Sequence, residues 1–194
     1  MKLRLRLFVV TCIAAALLSL APASAVAQQP TDQPKVQPAA GNVAIGADIG
    51  FYKPDEEYKV AFTPQAYVEF YLHDRWSIRA MLGWERPRSM TGGSSMDHIR
   101  GTANLIYNFE AGYWHPYISL GYGAYVAQNR EVDDNWDTPR YTKWGPNIAA
   151  GIEYFWSPKI TIKFEINVHM VHPIAELGDG PGGFAVTLGL KKYF

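Results

Sequence analysis

From Asn42 to the end of the chain, apolar side chains recur at every second residue. Ile160, Ile162, Phe164, Ile166, Val168 and Met170 alternate with Thr161, Lys163, Glu165, Asn167 and His169. The final run puts Phe184, Val186, Leu188 and Leu190 on one parity and Ala185, Thr187, Gly189 and Lys191 on the other. A period of two belongs to extended strands whose two faces meet different media. No stretch sustains a helical period, so α/β folds are excluded.

The alternation predicts eight strands, at 43–51, 62–72, 76–85, 98–109, 114–126, 144–156, 160–170 and 184–190. Short turns are expected at His73-Asp74-Arg75, at 110–113 and at Ser157-Pro158. The other four connections, 53–58, 86–95, 128–141 and 172–181, are longer. Pro64, Pro116 and Pro146 fall inside the runs, each toward an end, where a missing ladder donor is tolerable.

The amino-terminal residues have a different composition. Lys2, Arg4 and Arg6 precede an apolar run at 7–20, and Ala23-Ser24-Ala25 and Ala25-Val26-Ala27 are small-x-small sites. This predicts a cleaved secretory signal over residues 1–27. Cys12, the only cysteine, lies inside it. The mature chain is therefore expected to lack a thiol, which excludes disulfides, thiolate catalysis and cysteine metal sites. Removing the three basic residues leaves 15 Lys+Arg against 18 Asp+Glu, a formal charge of −3 that argues against a nucleic-acid partner. Residues 28–41, QQPTDQPKVQPAAG, are expected to be a flexible segment, and 42–194 a single domain.

Alternating antiparallel strands fit a soluble barrel or sandwich with an apolar interior, or a membrane barrel with an apolar exterior. Four features favour the membrane barrel. The apolar parity is essentially uncharged, whereas the other parity carries Asp48, Glu69, Arg79, Glu85, Arg100, Glu153, Lys163 and Glu165. A lipid-facing Lys or Arg at the bilayer midplane costs roughly 2–4 kcal/mol, while inside a narrow barrel mixed charges pair across the lumen. Short and long connections alternate strictly, as at the two ends of an outer-membrane barrel. Aromatic residues collect at strand ends on the apolar parity. Trp76, Phe109, Trp114, Trp156 and Phe194 lie toward the short-turn end, and Trp84, Trp144 and Phe184 toward the other, as two interfacial girdles would. Finally, each strand has the length of a tilted membrane crossing, and an open edge is not tolerated in lipid, so the last strand must close on the first. The expected fold is all-β: a closed eight-stranded antiparallel up-and-down transmembrane barrel.

With its signal ending Ala25-Val26-Ala27, its eight alternating strands and its terminal strand, the chain resembles the small eight-stranded outer-membrane barrels of Gram-negative bacteria, the group that includes the OmpA membrane domain, OmpX and OmpW-like proteins. The resemblance covers residues 42–194. It implies the cell outer membrane as location, outer-membrane lipid and lipopolysaccharide as surroundings, and the barrel-assembly machinery as a partner of the last strand. In that family the assembly signal is a polar residue, a glycine two later, then aromatic or apolar residues at the third-last and last positions. Thr187, Gly189 and Phe194 match it, and Lys192 departs from it.

Chemistry is sparse. His98 and His169 share the lumen parity, with Ser94, Ser95, Glu85 and Glu176 nearby in sequence, but the His-x-Ser pattern of lipid A deacylases does not occur. His169 and His172 fall on opposite faces of a strand, against shared metal coordination. The acidic stretch Glu131, Asp133, Asp134, Asp137 lacks the spaced glycine of a calcium loop and reads as solvated. No catalytic residue, cofactor or metal is expected. The expected role is that of a monomeric structural or interaction protein displaying loops 87–95, 128–141 and 172–181 from a plugged barrel. A narrow channel or hydrophobic-solute porter is the alternative, and a lipid A-modifying enzyme a second.

Overall fold

The computed structural model describes residues 38–54, 58–90, 95–109, 112–130, 140–171 and 182–194. Among these the strands are β1 (Val43–Pro54), β2 (Ala61–Phe62), β3 (Gln65–His73), β4 (Trp76–Glu85), β5 (Ser95–Asn108), β6 (Trp114–Arg130), β7 (Arg140–Ser157), β8 (Ile160–His169) and β9 (Gly183–Tyr193). β2 and β3 are parts of one wall strand. The pairings Tyr52–Ala61 and Phe51–Phe62 continue the register of Asp48–Gln65, and Thr63 N–H donates to Gly50 O at 2.9 Å between them. Eight antiparallel wall strands result, and β9 closes on β1 from Ala44–Tyr193 to Pro54–Gly183.

The registers set the barrel's geometry. Paired residues lead around the wall from Ala44 through Glu69, Arg79, Asn104, Gly121, Asn147, His169 and Gly183. The circuit returns to β1 at Pro54, ten residues beyond its start. That stagger over eight strands corresponds to a strand tilt of about 40°. Trp76 and Trp84, both on β4, are then about 20 Å apart along the barrel axis, close to the height of an outer-membrane apolar band.

The three prolines sit at last rungs. Pro64 accepts from Trp84 N–H (3.2 Å), Pro116 from Phe109 N–H (2.8 Å) and Pro146 from Met170 N–H (2.9 Å). Each rung has one hydrogen bond in place of two, and no register shift occurs at any of them.

Two expectations need correction. The long connections are shorter than the alternation of apolar residues suggests. Ser95, Gln128–Arg130 and Arg140–Tyr141 belong to strands, because β5, β6 and β7 keep pairing beyond the apolar wall. Their inward positions there supply Met96, Ala127 and Tyr141 to an apolar cluster with Tyr58 from the segment after β1, while their outward face turns polar. Nor are residues 38–41 a free tether. Gly41 N–H donates to Tyr71 O (2.8 Å) and Ala40 N–H to Asp74 Oδ1 (3.2 Å), with Gly41 at φ 87°. Residues 1–37 lie outside the described residues.

The interior admits only certain side chains. A Cβ on Gly46 would press into the Tyr67 ring, and one on Gly151 into Tyr117. We expect Gly46→Val to destabilise the barrel by about 1–3 kcal/mol through overpacking. Ala47→Val, one residue on and outward-facing, should be near neutral. Urea unfolding in detergent, read by heat-modifiable gel mobility, separates the two.

Candidate functional site

Side chains alternate between the lumen and the outer surface along the strands, apart from register shifts at Tyr71/His73 and Phe155/Ser157 beside two of the short turns. The structure places Asp48, Glu69, Arg79, Glu85, Arg100, Glu153, Lys163 and Glu165 inside, all buried. Arg79 on β4 is the hub of the lower lumen. Its Nε donates to Glu69 Oε2 (2.9 Å) and its Nη1 to Glu165 Oε2 (2.7 Å), and Nη2 lies 3.6 Å from Glu153 Oε1. The rings of Tyr67 and Tyr117 flank the guanidinium at 4.6 and 5.3 Å. β4 and β8 stand on opposite sides of the barrel, so the Arg79–Glu165 pair crosses the lumen.

Lys191 on β9 completes this group. It lies 2.5 Å from Glu153 Oε1 and 3.1 Å from Glu69 Oε2 and donates to Tyr71 Oη (2.9 Å). Parity alone puts Lys191 inside, but its partners depend on the stagger, and the sequence does not single it out as part of a network.

The upper lumen repeats the arrangement. Arg100 donates to Glu85 Oε1 (2.7 Å), Gln65 Oε1 (2.8 Å) and Thr63 Oγ1 (3.0 Å). Gln65 joins the two halves by donating to Asp48 Oδ2 (2.6 Å), which also pairs with Lys163 (2.7 Å). Lys163 in turn reaches Glu165 Oε2 at 3.3 Å. One polar chain therefore runs along the lumen. The carboxylates of Asp48, Glu69, Glu85, Glu153 and Glu165 meet the cations of Arg79, Arg100, Lys163 and Lys191.

Aromatic layers bound the chain at both ends. The floor packs Tyr71, Tyr193, Phe155 and Ala44, with Tyr71 and Tyr193 hydroxyls 3.0 Å apart. Toward the outer mouth, His98 and His169 pack with Tyr52 and Tyr125 at ring separations of 5.5–6.1 Å. His98 Nδ1 lies 2.6 Å from Glu85 Oε1, and His169 Nδ1 lies 2.9 Å from Tyr125 Oη. Ser95 has the outward parity of β5, opposite to His98, and makes no catalytic set with it. Ser94, His172, Glu176 and the acidic residues Glu131, Asp133, Asp134 and Asp137 lie outside the described residues. Among the described residues no three His, Cys, Asp or Glu side chains are grouped to hold a metal.

The outer surface is apolar. Trp76, Trp84, Phe109, Trp114, Trp144, Trp156, Phe184 and Phe194 are all exposed on it. Tyrosines extend both rows. Tyr107 packs on Trp76 and Phe109 (4.9 Å each) and Tyr154 on Trp114 (4.7 Å) at the short-turn end, while Tyr122 stacks on Trp144 (6.4 Å) at the other. On β9, Thr187 and Gly189 face inward. Phe194 faces outward, bonded through its N–H to Val43 O at 2.9 Å. Lys192 also points outward, with its Nζ 5.1 Å over the Phe194 ring, whereas Tyr193 turns into the floor. Tyr193 therefore does not share the face of Phe194.

Removing one partner from a buried pair strands the other charge. Arg79→Ala should cost about 3–5 kcal/mol, because Glu69 and Glu165 lose the guanidinium between them and keep only Lys191 and Lys163 as counter-charges. Adding Glu165→Gln should recover part of that loss. Urea midpoints of the folded barrel in detergent measure both steps.

A family model described as the outer membrane protein beta-barrel domain matches residues 13–191. No curated protein matches the sequence. Among solved structures, Neisserial surface protein A is 12% identical, with a TM-score of 0.63 over 79% of this chain and 96% of its own. The N-terminal β-barrel domain of OprF from Pseudomonas aeruginosa is 17% identical, with a TM-score of 0.58 over 81% of this chain and all of its own (100%). Ail, the attachment invasion locus protein of Yersinia pestis, is 15% identical, with a TM-score of 0.53 over 80% and 99%. At these identities the structures share the fold. With the family match over nearly the whole sequence and the closed, outwardly apolar wall, the chain belongs to the outer membrane protein β-barrel domain family, a protein of the outer membrane.

Proposed function

We propose that the protein is a non-enzymatic structural or interaction component of the outer membrane, a plugged barrel that presents its outer connections to the surroundings. The observation that carries this reading is the filled lumen. An eight-stranded barrel is just wide enough for its own side chains. Here those side chains are tyrosines, arginines and carboxylates bonded from wall to wall, between an aromatic floor and an aromatic outer layer. A route for apolar solutes needs an apolar lumen, and the charged chain opposes one. The name of Ail, attachment invasion locus protein, points in the same direction on the same fold.

Purified barrel in a planar bilayer should carry no sustained ion current. Steady channel openings would overturn the plugged reading and favour a narrow pore.

The proposed handle for the assembly machinery is the terminal strand, with Thr187 and Gly189 inward and Phe194 outward. Deleting Phe194 removes one closing hydrogen bond and one interfacial ring. It should lower the yield of heat-modifiable barrel in membranes more than it lowers the urea midpoint of the barrel that does fold.

A further inference from the structure

Lys192 is the residue at which the terminal strand departs from the family's assembly pattern, and the registers show what surrounds it. It faces outward, with Ile160 of β8 and Ile45 of β1 as its rung partners, so it stands in the lipid-facing wall. The stagger sets its Cα about level with those of Trp76 and Tyr154, and about 5 Å deeper in the membrane than that of Phe194. A lysine at that depth is costly unless its ammonium reaches the interface. Here the side chain runs back along the strand and holds Nζ 5.1 Å over the Phe194 ring.

The neighbouring turn brings a second cation to the same place. Lys159 O accepts from Tyr193 N–H (2.8 Å), which puts the Lys159 and Lys192 Cα atoms about 6 Å apart. Both side chains are exposed, and neither ammonium has a carboxylate or hydrogen-bond partner among the described residues. Trp156 adjoins Ser157, which pairs with Ile160 in the rung of Lys192. At 72%, Trp156 is the most exposed large apolar side chain among the described residues, and its indole N–H supplies a third donor.

We propose that Trp156, Lys159, Lys192 and Phe194 form a binding site for an anionic glycerophospholipid of the periplasmic leaflet, with the two ammonium groups on its phosphodiester. Three observations identify the occupant. The site lies at the short-turn end, which is the periplasmic end of such a barrel, where the surrounding leaflet is phospholipid. Ile45 and Ile160 flank Lys192 in one rung, so acyl chains lie against the wall directly beside the ammonium and the ligand is continuous with the bilayer. Two adjacent cations without a counter-charge on the protein favour a headgroup of net negative charge, because the ammonium of a zwitterionic headgroup stands against them. The inference goes beyond the plugged reading and does not depend on it.

The test uses the full-length barrel refolded in detergent with equal amounts of phosphatidylglycerol and phosphatidylethanolamine of matched acyl chains, and bound lipid is counted by native mass spectrometry. Wild-type protein should retain phosphatidylglycerol at least tenfold better, because a lysine near an anionic lipid surface contributes about fivefold. Lys159→Gln with Lys192→Gln should bring the two lipids to equal retention. Lys192→Leu alone supplies the apolar residue of the family pattern. It should fold, as judged by heat-modifiable mobility, and lose about fivefold of the preference. Lys192→Arg should keep the preference, as should Arg86→Gln with Arg140→Gln, exposed at the opposite rim. Equal retention of the two lipids by wild type would overturn the proposal, as would an unchanged preference in Lys192→Leu or in the double lysine variant. A loss in the outer-rim variant as large as in the lysine variants would overturn it too. A conducting barrel that still selects phosphatidylglycerol would sink only the plugged reading. A silent barrel without that selectivity would sink only this one.

Discussion

A hydrocarbon layer offers no partner for a backbone amide, so a sheet crossing it has no tolerable edge. The pairing of β9 with β1 meets that requirement, and much of the structure follows from it. Closing eight strands with a stagger of ten leaves an interior too narrow for bulk water yet lined by half of all wall residues. Those residues must therefore satisfy one another. Outside, the same closure presents an apolar band bounded by two aromatic rows.

The interior solves its packing and its electrostatics with the same residues. Glycines at 46 and 151 make room for Tyr67 and Tyr117, and these two rings flank the Arg79 guanidinium. Bringing an ion pair out of water carries a large desolvation penalty, repaid only when geometry and extra hydrogen bonds are good. Here Glu69 meets Arg79, Lys191 and Ser77, and Glu165 meets Arg79, Lys163 and Tyr117. The partners come from several strands, so the pattern is complete only when each strand takes its place.

Parity made most of this legible in the sequence. Once Asp48, Glu69 and Lys163 fall opposite Ile49, Phe70 and Phe164, their inward direction is settled, and the aromatic rows follow from strand ends. Partnership was not legible. Arg79 and Glu165 are far apart in the chain, and their meeting depends on registers that accumulate over half the circumference. Lys191 was hidden for the same reason. The outer extensions of β5 to β7 escaped because the sign of a strand is an apolar face, and at Asp97, Gln128 and Arg140 the outward face is polar while the backbone pairing continues. The turn at 38–41 escaped because composition reports an inability to form a core, and its anchoring is to backbone and a carboxylate, not to a core.

The Arg79–Glu165 strut has a mechanical side. A barrel held only by nearest-neighbour ladders yields to a pulling force one hairpin at a time, each unzipping independently of the strands across the lumen. A tie from β4 to β8 makes those two strands share the load, and Lys191 brings β9 into the same brace through Glu69 and Glu153. Extraction from either end of the chain then meets its resistance at the lower lumen, so the wall behaves as a spoked wheel and not as a rolled ribbon.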